Sequence, residues 1–315
     1  MGKTAFLFPG QGSQKVGMGR SLYDHYPQAR SVFDQACRDL GYDIKTLCFD
    51  GPEETLKATE NAQVALFVTS VAAWRCFVAS CTLLPDAVAG HSVGEYAALV
   101  AADVLDFEEA LHLVRVRGEL MRDAAQQYPG TMAAILGLDA NTVGEACREA
   151  KASGAGIVAV ANINGGGQIV ISGQTDAVVK AGEIAQHKGA KRVILLPVSG
   201  AFHSPLMVTA GDALFAHLAK AAFRKPSVPV VSNVTAEYVA EPADLTGGLT
   251  VQVSGTVRWE ESMQLLLRDG FDTFVELGSG EILGGLMKRI DKTARTYSVH
   301  DRNSLMEVCT ALAPN

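Results

Sequence analysis

The sequence has no closely spaced pair of cysteines. Its six cysteines are scattered along the chain, and no two of them form a C-x-x-C pair. Scattered cysteines are typical of buried thiols in a reducing cytoplasm, so we expect no disulfide, no zinc site and no other metal site. The cysteines are Cys37, Cys48, Cys76, Cys81, Cys147 and Cys309.

An excess of positive charge is also missing. Lys and Arg together number 27 against 34 Asp and Glu, which gives a formal net charge of -7. An acidic chain of this kind is a poor partner for the phosphate backbone of DNA or RNA. We therefore expect no nucleic acid among its partners.

Neither a secretory leader nor a clear membrane span is visible. Met1–Thr4 leads directly into a strand-like run, without the charged and apolar regions of a signal peptide. The longest apolar stretch, 62–78, is interrupted by polar residues that include Gln63 and Arg75. Such a stretch indicates a core helix more than a membrane span. We expect a cytoplasmic protein that does not bind membranes.

A G-x-S-x-G segment, Gly90–Gly94, is the most informative feature that is present. It follows the apolar run 87–89 and precedes the Ala-rich run 96–102. A serine on a sharp turn between a strand and a helix projects its hydroxyl beside free backbone N–H groups, which is the arrangement of a nucleophile elbow. Ser92 is therefore a candidate nucleophile, and an ordinary glycine-flanked turn is the alternative.

The loop 10–14 follows a predicted first strand at 4–8. It does not match a phosphate-binding loop, because no G-x-x-x-x-G-K-[ST] fits it and Lys15 stands where G-x-G-x-x-G needs glycine. Loops at the carboxyl ends of strands in an α/β sheet face the ligand site. The loop either presents a backbone N–H beside the elbow or is a plain turn.

Helical patterns flank the elbow on both sides. They predict a helix over 21–40, a helix over 61–80 with Asn61 as its N-cap, and a helix over 107–127 that begins with an Asp106–Glu109 capping box. Arg117 lies at the margin of the apolar stripe of the last helix. A buried arginine needs a partner, which is either a structural carboxylate or a carboxylate of the substrate.

The pattern changes between residues 129 and 197, where strands and helices alternate as β-α-β-β-α-β. That order is the ferredoxin-like unit. We predict a small ferredoxin-like domain at 129–197, inserted into a large α/β domain formed by 1–128 and 198–315. The triple glycine Gly165–Gly167 is expected to connect a hairpin.

His203 lies in a short loop rich in Gly, Ser and Pro, about a hundred residues after Ser92. A histidine placed there is a candidate general base for a serine nucleophile. The alternative is an inert surface histidine.

Four segments in order, Phe8–Gln14, Gly90–Tyr96, Val116–Gly118 and Gly200–Ser204, resemble one family across essentially the whole chain. It is the malonyl-CoA:acyl carrier protein transacylases, related to the acyltransferase domains of polyketide and fatty acid synthases. The resemblance implies a parallel-sheet, α/β-hydrolase-like large domain with the ferredoxin-like insertion. The sequence departs from the family at Ser279, where proline is common, so the turn there is expected to be less rigid.

The resemblance also implies catalytic roles. Ser92 would be the nucleophile and His203 its base. The backbone N–H groups of Gln11 and Val93 would form the oxyanion hole, and Arg117 would bind the free carboxylate of the malonyl group.

Further residues are expected to bind substrate or to orient the base. Gln63, His91 and Met121 would lie near the acyl group. Phe202 resembles the version of its loop that prefers malonyl over methylmalonyl groups, since its ring leaves little room for a branch. The backbone carbonyl of Gln252 would orient His203.

The implied reaction moves a malonyl group from malonyl-CoA to the phosphopantetheine thiol of acyl carrier protein, through a malonyl-serine ester and without a cofactor. We expect a monomer. The alternatives are a serine hydrolase or thioesterase with the same elbow, a trans-acting acyltransferase of polyketide synthesis, and a catalytically idle scaffold.

An acidic carrier protein needs a local basic surface on an acidic enzyme. The candidates are Lys188, Lys191, Arg192, Lys288 and Arg289. The alternative is that these are ordinary solvated charges.

Overall fold

The strands form two sheets, one parallel and one antiparallel. A computed structural model describes residues 2–81 and 83–313. The strands are β1 (Lys3–Phe8), β2 (Ala87–Gly90), β3 (Thr131–Leu136), β4 (Val158–Gly165), β5 (Gln168–Gly173), β6 (Arg192–Leu195), β7 (Val230–Val231), β8 (Phe271–Leu277) and β9 (Arg295–Val299). The helices are α1 (Arg20–His25), α2 (Pro27–Leu40), α3 (Ile44–Asp50), α4 (Glu53–Lys57), α5 (Thr59–Ser80), α6 (Gly94–Ala101), α7 (Phe107–Gln127), α8 (Ala140–Ala152), α9 (Thr175–His187), α10 (Val208–Leu218), α11 (Pro242–Gln252), α12 (Trp259–Arg268), α13 (Ile282–Ile290) and α14 (Arg302–Ala311).

The parallel sheet has the order β7-β2-β1-β8-β9, and all of its neighbouring strands are parallel. β1, β2 and β8 are buried along nearly their whole length, as strands with both faces covered require. Phe8 pairs with Gly90 in the register of β1 and β2. Because parallel strands end at one edge, the loops after Phe8, Gly90 and Leu277 meet there.

Helix α5 packs in the core beside α7 and α2. Among the described residues, only α5 is long and apolar enough to cross a membrane, and 78% of that apolar stretch is buried inside the protein. The stretch is a core helix, as predicted. Asn61 is not its N-cap, because the helix begins at Thr59 and the Asn61 amide donates to the Thr55 carbonyl at 2.9 Å.

The predicted helix over 21–40 is two helices. Tyr26 is extended, with φ -124° and ψ 125°, and Pro27 is the first residue of α2. The ring of a proline disfavours a helical conformation in the residue before it, and a proline fits well at the first position of a helix. The prediction overlooked this effect of Pro27.

Helix α7 spans Phe107–Gln127, as the apolar pattern predicted. Asp106 precedes it, but the predicted capping box is wrong, because its side chain makes no cap hydrogen bond. The Asp106 carboxylate pairs with Arg224 at 2.8 Å, and Glu109 accepts from the N–H of Ala222 at 2.9 Å. Both carboxylates bind the segment after α10 instead.

The antiparallel sheet has the order β4-β5-β3-β6. Helices α8 and α9 pack on it and on each other, and their apolar residues form a core separate from that of the parallel sheet. This is the predicted ferredoxin-like topology, so the predicted fold class is confirmed. The triple glycine connects β4 to β5 as a hairpin, with Gly165 paired to Gln168. The domain boundaries at 129 and 197 stay a prediction, which the separate core supports.

Two cysteines correct the expectation of free thiols. Cys81, after α5, and Cys309, in α14, form a disulfide with 5.4 Å between their Cα atoms. The other four cysteines are free. Because the two partners are 228 residues apart, no local spacing reveals the pair.

Candidate active site

Ser92 lies at the sharp turn between β2 and α6. Its φ is 53°, a left-handed conformation that is strained for a residue with a side chain. The turn fits only because Gly94 has no side chain, since a Cβ there would lie 2.2 Å from the carbonyl oxygen of Phe8. The predicted elbow is therefore present, with Ser92 just before the N-terminus of α6.

His203 meets Ser92 from the loop before α10. Its Nε2 lies 2.8 Å from Ser92 Oγ, and its Nδ1 lies 2.8 Å from the carbonyl oxygen of Gln252. Because a carbonyl only accepts, Nδ1 carries the proton and Nε2 is free to accept from the serine hydroxyl. Both side chains are buried. His203 is therefore not a surface histidine, and the Gln252 carbonyl has the predicted position.

Burial, and after it the positive charge of Arg117, lower the pKa of His203 to about 3. The imidazole is thus neutral at physiological pH, which is the form that takes a proton from a hydroxyl.

Arg117 lies inside the protein with 1% of its surface exposed. Its Nη1 donates to Gln63 Oε1, and its Nη2 donates to Ser92 Oγ and to Gln252 Oε1, each at 3.1 Å. These partners are neutral, and the ion pairs among the described residues do not include Arg117. The structural salt bridge is therefore not observed. A buried guanidinium with neutral partners suits an incoming carboxylate.

A cavity of about 460 Å³ opens onto these groups between the two sheets. The small sheet contributes Met132, Ala134 and Val170 to its wall, and α13 contributes Ile282 and Leu286. The cavity brings together nine of the ten predicted site residues, namely Gln11, Gln63, His91, Ser92, Val93, Arg117, Met121, Phe202 and His203. The tenth, Gln252, does not line the cavity but contacts both Arg117 and His203.

Three of the predicted substrate-binding residues make polar side-chain contacts, and the fourth is packed beside His203. His91 Nε2 lies 2.9 Å from Asn164 Oδ1 of β4, and burial lowers the pKa of His91. The amide of Gln63 donates to Met121 Sδ at 3.4 Å. Phe202 is buried beside His203 and lines the same cavity.

The loop of Gln11 packs directly against the elbow. A Cβ at Gly10 would lie 2.4 Å from the carbonyl oxygen of His91. Among the hydrogen bonds of the described loops and turns, none engages the Gln11 N–H or the Val93 N–H. Gln11 and Val93 both line the cavity that Ser92 lines, where an oxyanion would need donors. The loop is thus more than a plain turn.

Ser279 ties this loop to the end of β8. Its buried hydroxyl donates to the carbonyl of Ser13 at 2.6 Å, and the hydroxyl of Ser13 donates to the carbonyl of Gly10 at 2.9 Å. The expectation of a less rigid turn at Ser279 stays a prediction, and this hydrogen bond is a constraint that a proline could not supply. A serine fixes the turn here by a hydrogen bond to the neighbouring loop.

Sequence reasoning missed Asn233, which follows β7. Its Oδ1 accepts from the N–H of Ser92 at 2.7 Å, and its Nδ2 donates to the carbonyl of Gly90 at 2.6 Å. This side chain thus holds the backbone on both sides of His91, directly before the strained Ser92. A single asparagine 141 residues from Ser92 carries no pattern that reveals such a contact.

Glu95 was visible in the elbow segment but received no role. It is 3% exposed, and its Oε2 accepts from the amide of Gln252 at 2.6 Å. Burial raises its pKa to about 7. An acidic residue inside an otherwise apolar helical run was the signal that marked it.

No cluster of three or more His, Cys, Asp or Glu side chains in residues 2–81 and 83–313 is arranged to hold a metal ion. The chemistry described above uses only groups of the chain itself, and the absence of a cofactor stays a prediction.

The sequence and the structure of this chain match those of known proteins. Residues 5–295 match the family model of the acyl transferase domain. A relative from Bacillus subtilis named malonyl CoA-acyl carrier protein transacylase is 45% identical over 305 residues, which covers 97% of this chain and 96% of the relative. An acyl carrier protein S-malonyltransferase from Vibrio cholerae superposes with a TM-score of 0.93 at 41% identity and covers 97% of this chain and 99% of its own.

A second solved structure contains a malonyl-transacylase in complex with its type II PKS acyl-carrier protein. It superposes with a TM-score of 0.94 at 39% identity, over 98% of this chain and 99% of that one. Since both the family model and these relatives match nearly the whole length, the chain belongs to the acyl transferase domain family.

Proposed function

We propose that this protein transfers the malonyl group of malonyl-CoA to the phosphopantetheine thiol of an acyl carrier protein, through a covalent ester on Ser92. One observation carries the proposal. Ser92 Oγ lies within hydrogen-bond distance of both a neutral histidine, His203, and a buried guanidinium, Arg117. A nucleophile, its base and a binding group for a carboxylate therefore meet at one atom. The names of the relatives support this pair of substrates.

In the first half-reaction, His203 Nε2 takes the proton of Ser92 as Oγ attacks the thioester carbonyl carbon. The carbonyl oxygen becomes negative and accepts hydrogen bonds from the N–H groups of Gln11 and Val93. The carbon–sulfur bond then breaks. Coenzyme A leaves as a thiol with the proton from His203, and the malonyl ester of Ser92 remains.

The second half-reaction repeats these steps with the carrier thiol as the nucleophile. His203 takes the thiol proton, sulfur attacks the ester carbonyl carbon, and the bond to Ser92 Oγ breaks. The proton returns to Oγ, so the free enzyme is restored. The nucleophile, the base and the oxyanion donors all belong to the chain, which supports a reaction without metal or cofactor.

Arg117 supports malonyl transfer over the hydrolase alternative. A malonyl ester on Ser92 carries its free carboxylate a few atoms from Oγ, within reach of the guanidinium. An uncharged acyl group would leave this buried cation without a direct anionic partner, which lowers the affinity for that group. The ring of Phe202 beside His203 supports a preference for malonyl over methylmalonyl groups, and equal kcat/KM for the two thioesters would contradict it.

We place the carrier protein on the basic edge of the small sheet. Lys191 and Arg192 are exposed at the start of β6, whereas Lys188 pairs with Glu145 and Glu149. Exposed cations attract an acidic carrier. Charge reversal at both positions should raise KM for the carrier and leave acylation of Ser92 by malonyl-CoA unchanged. An unchanged KM would move the docking surface elsewhere.

We also propose that the protein is a monomer, is located in the cytoplasm and does not bind membranes. Its four free thiols support a reducing compartment, and the Cys81–Cys309 bridge is the one feature that argues against it. The acyl carrier protein could belong to fatty acid synthesis or to polyketide synthesis. Measuring kcat/KM with a carrier protein of each pathway decides between the two.

Initial rates measured while both substrates are varied test the proposed function. We expect parallel lines in a double-reciprocal plot, because coenzyme A leaves before the carrier reacts. Malonate release without carrier should stay slow. Intersecting lines would contradict the ester intermediate, and fast malonate release would support the hydrolase.

A further inference from the structure

We propose that Glu95 is a positioning residue for this reaction. Its carboxylate fixes the side-chain amide of Gln252 with the amide oxygen toward Arg117, and through Gln252 it holds both Arg117 and His203 against Ser92. This inference rests on the proposed function and assigns a task to a residue that does not line the cavity.

Gln252 connects the catalytic groups. Its backbone oxygen accepts from His203 Nδ1 at 2.8 Å, and its side-chain Oε1 accepts from Arg117 Nη2 at 3.1 Å. Its Nε2 donates to Glu95 Oε2 at 2.6 Å and to the carbonyl of Ser92 at 3.1 Å. A shift of this one residue therefore moves the base and the guanidinium together.

The orientation of the Gln252 amide follows from the chemistry of its two neighbours. A guanidinium has only donors, and a carboxylate without its proton has only acceptors. If the amide turned over, its NH₂ would face Arg117 and its oxygen would face Glu95, so both contacts would become repulsive. Arg117 has to exchange partners when it binds a substrate carboxylate. Glu95, outside the cavity, is the neighbour that keeps the amide in place.

Glu95 also supports Asn233, which holds the elbow. The backbone N–H of Asn233 donates to the same Oε2 at 3.2 Å, and the Asn233 side chain holds the N–H of Ser92 at 2.7 Å. Glu95 lies in the first turn of α6, where the helix dipole favours a negative charge. A buried carboxylate is costly unless such contacts compensate for it.

The test compares Glu95→Gln with wild type in single-turnover acylation of Ser92, at about pH 8, where the carboxylate is ionised. Rate constants for malonyl-CoA and acetyl-CoA are normalised to active sites titrated with a serine-directed fluorophosphonate, so that unfolded protein does not count. Glu54→Gln is the matched control, because Glu54 is an exposed glutamate in the first turn of α4.

We expect Glu95→Gln to slow acylation by malonyl-CoA by about tenfold, since a charge-assisted hydrogen bond becomes a neutral one. Acylation by acetyl-CoA should fall less, because it does not use Arg117. Glu54→Gln should match wild type. Equal losses for both thioesters, or a wild-type rate in Glu95→Gln, would overturn the proposal. Failure of wild type to form any malonyl ester would instead overturn the proposed function.

A second comparison separates positioning through Gln252 from a general structural role. In a Gln252→Ala background, Glu95→Gln should have a much smaller further effect, because the amide that it orients is gone and only its contact with the Asn233 N–H remains. Independent, multiplicative losses would overturn the proposal. If Glu95→Gln does not fold, Glu95→Asp serves, since its shorter side chain does not reach the Gln252 amide. A wild-type malonyl rate in Glu95→Asp would overturn the proposal as well.

Discussion

Ser92 and His203 share an unusual backbone conformation, with φ values of 53° and 56°, and their side chains meet at 2.8 Å between Oγ and Nε2. Residues with side chains rarely adopt this left-handed region, and it costs of order 1–3 kcal/mol at each position. Both members of the proposed catalytic pair are therefore held under strain. Asn233 bonds the N–H of Ser92 and the carbonyl of Gly90, and the Val253 carbonyl accepts from the His203 N–H at 3.2 Å, so the surrounding structure fixes both residues.

The strain at Ser92 is measurable with two variants that both lack the hydroxyl. Ser92→Gly should be more stable than Ser92→Ala by about 1 kcal/mol, because glycine adopts a positive φ without the clash of a Cβ. Thermal or urea unfolding of the two variants measures the difference. Equal stability, or a less stable glycine variant, would contradict a strained elbow.

Arg117 should determine which acyl group is accepted. Arg117→Ala should lower kcat/KM for malonyl-CoA roughly 10- to 150-fold, the loss of one charged hydrogen-bond pair. The value for acetyl-CoA should change little. Arg122→Ala is the control on the same helix, because Arg122 is half-exposed and pairs with Glu60 and Asp123. Parallel losses for both thioesters in Arg117→Ala would contradict a role in selecting the carboxylate.

The lowered pKa of His203, about 3, predicts the pH dependence of acylation. The neutral base persists above that pKa, so protonation of His203 should not slow the reaction between about pH 8 and 5. The pH profile of the rate is best measured in Glu95→Gln. In wild type, protonation of Glu95 below its pKa of about 7 would lower the rate as well and would mask the contribution of His203. A histidine with its ordinary pKa would instead lose about thirtyfold by pH 5, and that loss in the variant would contradict the account.

The disulfide predicts the number of titratable thiols. Denatured, unreduced protein should show four free thiols, those of Cys37, Cys48, Cys76 and Cys147. Cys309→Ser should lower the free energy of unfolding by roughly 2–5 kcal/mol, because the bridge closes a long loop of the unfolded chain. Cys37→Ser, which touches no bridge, is the control. Titration of all six cysteines would show that the bridge is not formed.

Patterns of short range predicted most of the fold and much of the site. The apolar periodicity of 107–127 gave the bounds of α7, and alternating strands and helices gave the small sheet. The elbow followed from local residue types, since a serine between two glycines marks a sharp turn. His203 and Arg117 were candidates on local evidence, and their roles came from the resemblance to a family. The break at Pro27 was also local, and the rule for the residue before proline would have found it.

What remained hidden depends on contacts over long separations. Asn233 reaches Ser92 across 141 residues, and Cys81 reaches Cys309 across 228. β7 contains only two residues, too few for a periodicity, yet it positions Asn233. The link from Glu95 to Gln252 spans 157 residues and appears only when the chain is folded.

The covalent ester on Ser92 is the central claim, and intact-protein mass spectrometry tests it most directly. Wild type and Ser92→Ala are incubated briefly with malonyl-CoA and then weighed. We predict one malonyl adduct on wild type, none on Ser92→Ala, and loss of the adduct when acyl carrier protein bearing phosphopantetheine is added. An adduct that persists in Ser92→Ala, or transfer to the carrier without any adduct on wild type, would contradict the account.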